Sequence, residues 1–426
     1  MSRSTARTAR ISSWFTIIQL LVAESQQWSV FNMWPGFGQS PLEWSNHQNI
    51  QNQQIQPRVL NFFPVPVEEE CRSEDQRRRG ICMNTYECRI QQGKSHGPCA
   101  LGFGVCCVFT TGCGGEVINN LTYVVSPGFP NLVDQPLNCS VVIRKIESQV
   151  SQMRIDFIHF NIGQPNLRTG VCDEDVMEIT SDVRTFQLCG WNSGQHMYVD
   201  VTDGPVILNL RLPRNLQSRM WEMSITQLPF EQRAPAGCLQ YFTEPRGTVK
   251  TLNYLPNGRY LANQDYLICM RQEKGSCIIA YFPCSNDSFR IGPSRFRRQT
   301  TMDNSTGTGA ANQASLDDEG SGTGPVDDAI VDAAPIRRCV DRILIPCDFE
   351  EFITPGNDGA GICDMEHCGT SLCMTSEFDA DGNCRVETSA TPFNIRVAFG
   401  MGDQNNTYPV DMTGMCLNYE QLECAS

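Results

Sequence analysis

The stretch CALGFGVCC, residues 99 to 107, sets two cysteines side by side, Cys106 and Cys107. A disulfide holds its α-carbons roughly 5.5 Å apart with a torsion near 90°, which adjacent residues reach only through a strained ring. Each of these sulfurs therefore goes to a different, distant partner. Upstream cysteines stand at 71, 82, 88 and 99, so the gaps through Cys107 are ten, five, ten, six and zero residues. A unit running only from Cys71 to Cys107 cannot bury enough apolar surface to offset chain entropy. Cross-links worth roughly 3 kcal/mol each must supply most of its stability. The vicinal pair is then the hub of a three-bridge knot, and the spacing alone selects no pairing for it.

The compartment follows from the first residues. Three arginines in MSRSTARTAR precede the apolar run ISSWFTIIQLLVA, and the small residues Ala23 and Ser25 mark a cut site, so 1–25 reads as a secretory signal peptide. Its apolar part has 13 residues, short of the roughly 20 that span a bilayer, and no later stretch comes closer. The expected localisation is secreted and extracellular, with no membrane insertion. In that oxidising setting the 22 cysteines read as disulfides rather than metal ligands. Five N-glycosylation sequons, at Asn120, Asn138, Asn286, Asn304 and Asn405, agree with a secreted glycoprotein. A net charge of −14, with QRRR and RFRR as the only dense basic runs, argues against nucleic-acid partners.

Residues 26–70 are rich in Gln and Asn, carry tryptophans at 28, 34 and 44 and show no period of 2 or 3.6, so they read as a disordered leader. From Cys113 the texture changes. MRIDF (153 to 157), LNLRL (208 to 212) and WEMSI (221 to 225) alternate apolar and polar side chains, the pattern of strands with one buried face. Turn signals such as SPGFP, NSG and TDGP separate them, and an antiparallel sandwich is the natural architecture. The order CDEDVMEIT, LCG, MSITQL returns as CVDRILIPC, HCG, LNYEQL, which marks a duplicated module. Residues 299–335 interrupt the second copy with seven acidic residues and no basic one, the composition of a mobile acidic loop.

The cysteine spacing closing with GPCALGFGVCC resembles the clip domain of secreted arthropod proteins. That resemblance implies Cys71–Cys106, Cys82–Cys99 and Cys88–Cys107 within a clip-like knot over 71–107. The stretches CGG…SPGFP, CDEDVMEIT and LCGWNSGQHMYVD resemble a CUB domain over 113–229 and imply Cys113–Cys139 and Cys172–Cys189. Aligning the second copy, 238–426, on the first implies Cys238–Cys269 and Cys339–Cys368. Eight cysteines remain there, at 277, 284, 347, 363, 373, 384, 416 and 424, with near neighbours such as Cys373 and Cys384 expected to bond. The whole order, with CGWNSGQHMYVDV and GCLQYFTEPRGTVKTLNYLPNGRYLANQDYLICMR, is similar to a group of secreted insect CUB-domain proteins. The expected fold class is mainly β: a small disulfide-rich clip-like unit followed by two jelly-roll-like CUB β-sandwiches.

Clip-like units often precede trypsin-like proteases, so catalysis needs testing. Nucleophilic serine chemistry requires a base and an orienting acid beside the nucleophile. The five histidines, at 47, 96, 159, 196 and 367, lack the Ala-Ala-His-Cys setting of that family, and there is no Gly-Asp-Ser-Gly-Gly. Zinc at CDMEHC and Cys373 would lack paired Cys-x-x-Cys or His-x-x-x-His spacing. Calcium is the more serious metal, because the CUB resemblance implies a Glu, an Asp in the strand after the third cysteine, and an Asp in a later loop. In the first module only Asp175 matches, so no calcium is expected there; the second retains Asp341 and Asp403 as its candidates. FDADGN, 378 to 383, lacks the glycine and the closing acid of a calcium loop and reads as a polar turn. Arg295, Arg297 and Arg298 form an Arg-X-Arg-Arg string that resembles a convertase site with cleavage after Arg298; the alternative is a basic patch pairing with the acidic loop.

These features describe a secreted, non-enzymatic protein without a resident cofactor. It is expected to recognise extracellular proteins or glycans through loops on rigid sandwiches. Two other classes compete: a non-catalytic regulator of an extracellular clip-protease cascade, and a structural matrix or cuticle component.

Overall fold

Strand Val150–Asn161 shows how the alternation builds a core. Met153, Ile155 and Phe157 point inward while Arg154 and Asp156 point away. Its partner, Met220–Pro229, sets Met223 opposite Phe157 and Glu222 opposite His159, which leaves Ile158 without a register partner. This bulge shifts the parity by one residue, so Phe160 returns to the inner face beside Phe157.

The computed structural model describes residues 70–215, 219–292, 339–346, 365–373, 384–402 and 412–424, all within one compact unit, 62–426. The signal peptide, the leader to residue 69, the acidic insertion, Arg298, Asn304, Asn405, Asp403, Cys347, Cys363 and the turn at 378–383 lie outside the described residues.

The chain is mainly β and disulfide-rich. In the first sandwich one sheet carries, in order, Leu121–Val125, Met220–Pro229, Val150–Asn161 and His196–Asp200. The facing sheet runs Thr185–Leu188, Val176–Thr180, Val206–Leu212, Leu137–Ile143 and Glu116–Val117. Val206, Leu208, Leu210 and Leu212 fill the space between them. The second sandwich pairs the sheet Cys238–Phe242, Gln264–Met270, Asn394–Phe399, Arg342–Leu344 and Glu366–His367 with the sheet Arg246–Lys250, Gly414–Glu423, Ser276–Pro283 and Val386–Thr388. Among the described residues pairing is antiparallel except at three places, where Gly104–Thr111 joins Leu121–Val125, Glu116–Val117 joins Leu137–Ile143, and Cys238–Phe242 joins Gln264–Met270.

The N-terminal cysteine unit is no separate bead. Strand Gly104–Thr111 runs past Cys107 and pairs with Leu121–Val125, so Glu70–Arg72, Arg79–Met83 and Lys94–Cys99 extend the first sheet to eight strands. The one α-helix among the described residues, Thr85–Ile90, is capped by Asn84, whose side chain accepts the Tyr86 N–H. Here the structure departs from the alternation in WEMSI, which predicts one solvated face. Glu222 and Ser224 are buried as well, because the outer side of the sheet is covered by Val108, Leu121 and Tyr123 packed with Ile81 and Ile158. Arg78 neutralises the buried carboxylate: its Nε donates to Glu222 Oε1 at 2.6 Å, and its guanidinium lies 5.1 Å from the Tyr123 ring centre.

Candidate functional site

Adjacent side chains on a strand point to opposite faces, and that separates the two vicinal sulfurs. Cys106 bonds Cys71 and Cys107 bonds Cys88, while Cys82 bonds Cys99. The structure also joins Cys113 to Cys139, Cys172 to Cys189, Cys238 to Cys269, Cys339 to Cys368 and Cys373 to Cys384. Among the described residues, two bonds escaped the sequence pattern, Cys277–Cys424 and Cys284–Cys416, with sequence separations of 147 and 132. They link neighbouring strands, Ser276–Pro283 and Gly414–Glu423, whose adjacency no local pattern announces. Cys368 and Cys373 have given their sulfurs to disulfides, and His367 Nδ1 sits 2.8 Å from Leu372 O. Zinc therefore finds no thiolate pair there.

The junction of the two sandwiches is built by the two stretches that carry the family resemblance. Asn253, in TLNYLP, is fully buried with φ 58°, a left-handed conformation that asparagine tolerates better than most residues. Its Oδ1 accepts the Trp191 N–H at 2.7 Å, and its own N–H donates to Asn192 Oδ1 at 2.8 Å. Its Nδ2 donates to Arg259 O at 2.9 Å and Gln164 Oε1 at 3.2 Å. Gly190, at φ 81°, must be glycine, since a Cβ there would overlap the Asn253 side chain. Gln195 Nε2 donates to Thr251 O at 3.1 Å, and the Ala262 N–H donates to Gly170 O at 2.8 Å. One apolar cluster runs through both sandwiches, from Val117 to Tyr419. Buried polar groups that satisfy one another are costly to separate, so this junction holds the modules as a fixed pair.

At the edge of the junction His196 Nε2 meets the Tyr241 backbone, 3.1 Å from its N and 3.0 Å from its O, linking strand His196–Asp200 to strand Cys238–Phe242. Burial, with the Arg154 charge, pushes the imidazole down to about 4, and Asp156 offsets only part of that. The ring is neutral near pH 7. The segment between the modules is fastened by Gln152, whose Oε1 accepts the Ala234 N–H at 2.8 Å and whose Nε2 donates to Asp200 Oδ1 at 2.9 Å.

The matching aspartates of the two modules lie near the loops. Asp175 Oδ2 accepts Arg219 Nε at 2.6 Å and the Gly163 N–H at 2.7 Å, and Oδ1 accepts Arg219 Nη2 at 2.8 Å. Asp341 Oδ2 accepts the Tyr260 hydroxyl at 2.5 Å and Oδ1 accepts the Gly400 N–H at 2.7 Å. Calcium needs several oxygen ligands with free lone pairs, including carboxylates. Both carboxylates are turned to protein donors, and the described residues contain no cluster of three or more His, Cys, Asp or Glu that could hold a metal. Asp175, closed by the Arg219 guanidinium, does not fit a calcium ion, whereas Asp341 meets only neutral donors and its companion candidate Asp403 lies outside the described residues. Of the sequon asparagines, Asn120, Asn138 and Asn286 are exposed. Tyr86, Ile90, Leu101 and Phe103 are exposed apolar side chains of the N-terminal unit.

Residues 235–422 match the family model of the Animal CUB domain. Among curated proteins the chain is similar to cubilin of Canis lupus familiaris, 26% identical over 215 residues, a match covering 45% of this chain and 6% of cubilin. The chain thus spans only a small fraction of that relative. Among solved structures it is similar to the CUB1-EGF-CUB2 domains of rat MASP-1, at 12% identity and a TM-score of 0.23, covering 73% of this chain and 99% of that one. It is also similar to the MASP-1 CUB2 domain bound to Ca2+, at 20% identity and a TM-score of 0.23, covering 27% and 98%. No helix among the described residues is long and apolar enough to cross a membrane.

Proposed function

We propose that this chain is a secreted, non-enzymatic recognition protein that binds extracellular proteins or glycans with two sandwich modules held in one fixed orientation. The observation that carries this reading is the buried exchange between Asn253 and the Asn192 loop, which joins the modules through satisfied polar groups rather than a free linker. Loops mounted on a rigid scaffold lose little entropy when they engage a partner, which favours binding as their use. Two of the histidines that could serve as bases are committed elsewhere, His196 to the Tyr241 backbone and His367 to Leu372 O. The match of residues 235–422 to the Animal CUB domain supports an extracellular protein-binding role, and the disulfides support an oxidising compartment.

The test is proximity capture from the extracellular space with the intact secreted protein, followed by binding of each captured species to purified wild type and to an Asn253→Ala variant. Saturable binding that weakens when the junction is loosened supports the proposal. Absence of any saturable protein or glycan partner overturns it. A second reading, a non-catalytic regulator of an extracellular clip-protease cascade, is favoured by the exposed Tyr86, Ile90, Leu101 and Phe103 on the N-terminal unit. Capture that recovers a protease or its inhibitor supports this reading, and capture that never does counts against it.

A further inference from the structure

We infer that the loop end of the first module is organised by an internal cation, the Arg219 guanidinium, so that its loops keep their shape without a divalent ion. The inference rests on the recognition reading only for the use to which those loops are put.

Arg219 immediately precedes strand Met220–Pro229, and its side chain and that of Asp175 are each 1% exposed. The pair is bidentate, a geometry that a planar guanidinium matches and a spherical ion does not need. The same guanidinium reaches two further loops: Nη2 donates to Arg214 O at 2.6 Å and Nη1 to Gln135 O at 3.4 Å. The backbone of Arg219 exchanges hydrogen bonds with Val133, its carbonyl accepting at 2.7 Å and its N–H donating at 3.2 Å. With Gly163 on the other side of Asp175, one arginine gathers the chain at 133–135, 163, 175 and 214.

Collecting distant loops around one positive charge is what a structural calcium does. Here the charge is covalently part of the chain. A calcium ion brought to Asp175 would meet a buried guanidinium of the same sign and an acceptor set already used. The second module holds its matching aspartate with neutral donors instead of a guanidinium. The Tyr260 hydroxyl and Gly400 N–H hold Asp341, and the Gly292 N–H donates back to Tyr260 Oη at 3.2 Å. The Arg259 guanidinium carbon lies 3.9 Å from the Tyr260 ring centre.

The experiment uses the intact secreted protein. Thermal melting is recorded in calcium and in excess chelator, and calcium uptake is measured by equilibrium dialysis. Coincident melts with no retained calcium are expected. A calcium site saturated a hundredfold would instead raise the melt by roughly 5 °C or more, and that shift or stoichiometric uptake overturns the inference. Arg219→Met should lower the melt by about 10 °C, because it strands a buried carboxylate, and Asp175→Asn in the same chain should restore much of the loss. If Arg219→Met alone fails to fold, the calcium measurements on the wild type still decide. Partner binding lost on chelation overturns this inference and leaves the recognition reading standing. If no partner binds in either buffer, the recognition reading fails while the melting comparison still tests Arg219.

Discussion

Asn253 of the second sandwich and Asn192 of the first meet backbone to side chain, the Asn253 N–H donating to Asn192 Oδ1 at 2.8 Å inside the protein. Each end of that contact is itself anchored, Asn253 through Trp191, Gln164 and Arg259, and Asn192 through its Nδ2 to Cys189 O at 3.0 Å. The relation between the modules is thus part of the fold.

Replacing Asn253 by alanine strands several buried donors and acceptors at once, the Trp191 N–H and Arg259 O among them. The expected loss is about 2 to 4 kcal/mol in urea unfolding, since each unsatisfied buried group costs about 1 to 3 kcal/mol. An unchanged midpoint would show that the junction contributes nothing to stability.

Stability should fall in mild acid because of His196. Its folded pKa, about 4, lies below the ordinary 6.5. Above pH 6.5 the ring is neutral in both states. As pH drops from 6.5 toward 4 the unfolded chain takes up a proton that the folded one refuses, so the folding free energy declines through that window. The groups facing the imidazole are Arg154 and Asp156 on the neighbouring strand, Tyr198 on its own and the Tyr241 backbone across the junction. Melting followed from pH 7.5 to 4 should flatten in His196→Gln, whose amide can meet the Tyr241 backbone without titrating.

Arg78→Met should cost about 2 to 3 kcal/mol, less than the full price of breaking a buried pair, because Arg78 is 21% exposed while Glu222 is 8%. Adding Glu222→Gln should recover part of it. If Arg78→Met matches wild type in chemical denaturation, the cysteine unit is not fastened to the sheet by this pair.

Processing after Arg298 has a distinct signature. Cys277–Cys424 and Cys284–Cys416 both bridge across that position. Cleaved protein should run as one species on a non-reducing gel and as two fragments after reduction, and Arg298→Ala should abolish the fragments. A single full-length band after reduction rejects cleavage.

The sandwich strands were readable because their cause is local. In MRIDF and LNLRL an apolar side chain every second residue is itself the instruction to bury one face. Adjacent Cys106 and Cys107 likewise exclude a bond to each other through geometry confined to two residues. The same local rule misjudged WEMSI, since what buries Glu222 and Ser224 is a unit more than a hundred residues earlier in the chain.

By itself, then, the sequence determined the β class, the reliance on cross-links and the alternation within each strand, all of which follow from neighbours along the chain. Only the tertiary structure decided that the cysteine unit continues the first sheet, that Asn253 locks the sandwiches together, and that Asp175 is answered by Arg219. Those are contacts between residues 44 to more than 100 positions apart, and such pairs are chosen by strand register and burial, which no short stretch of sequence contains.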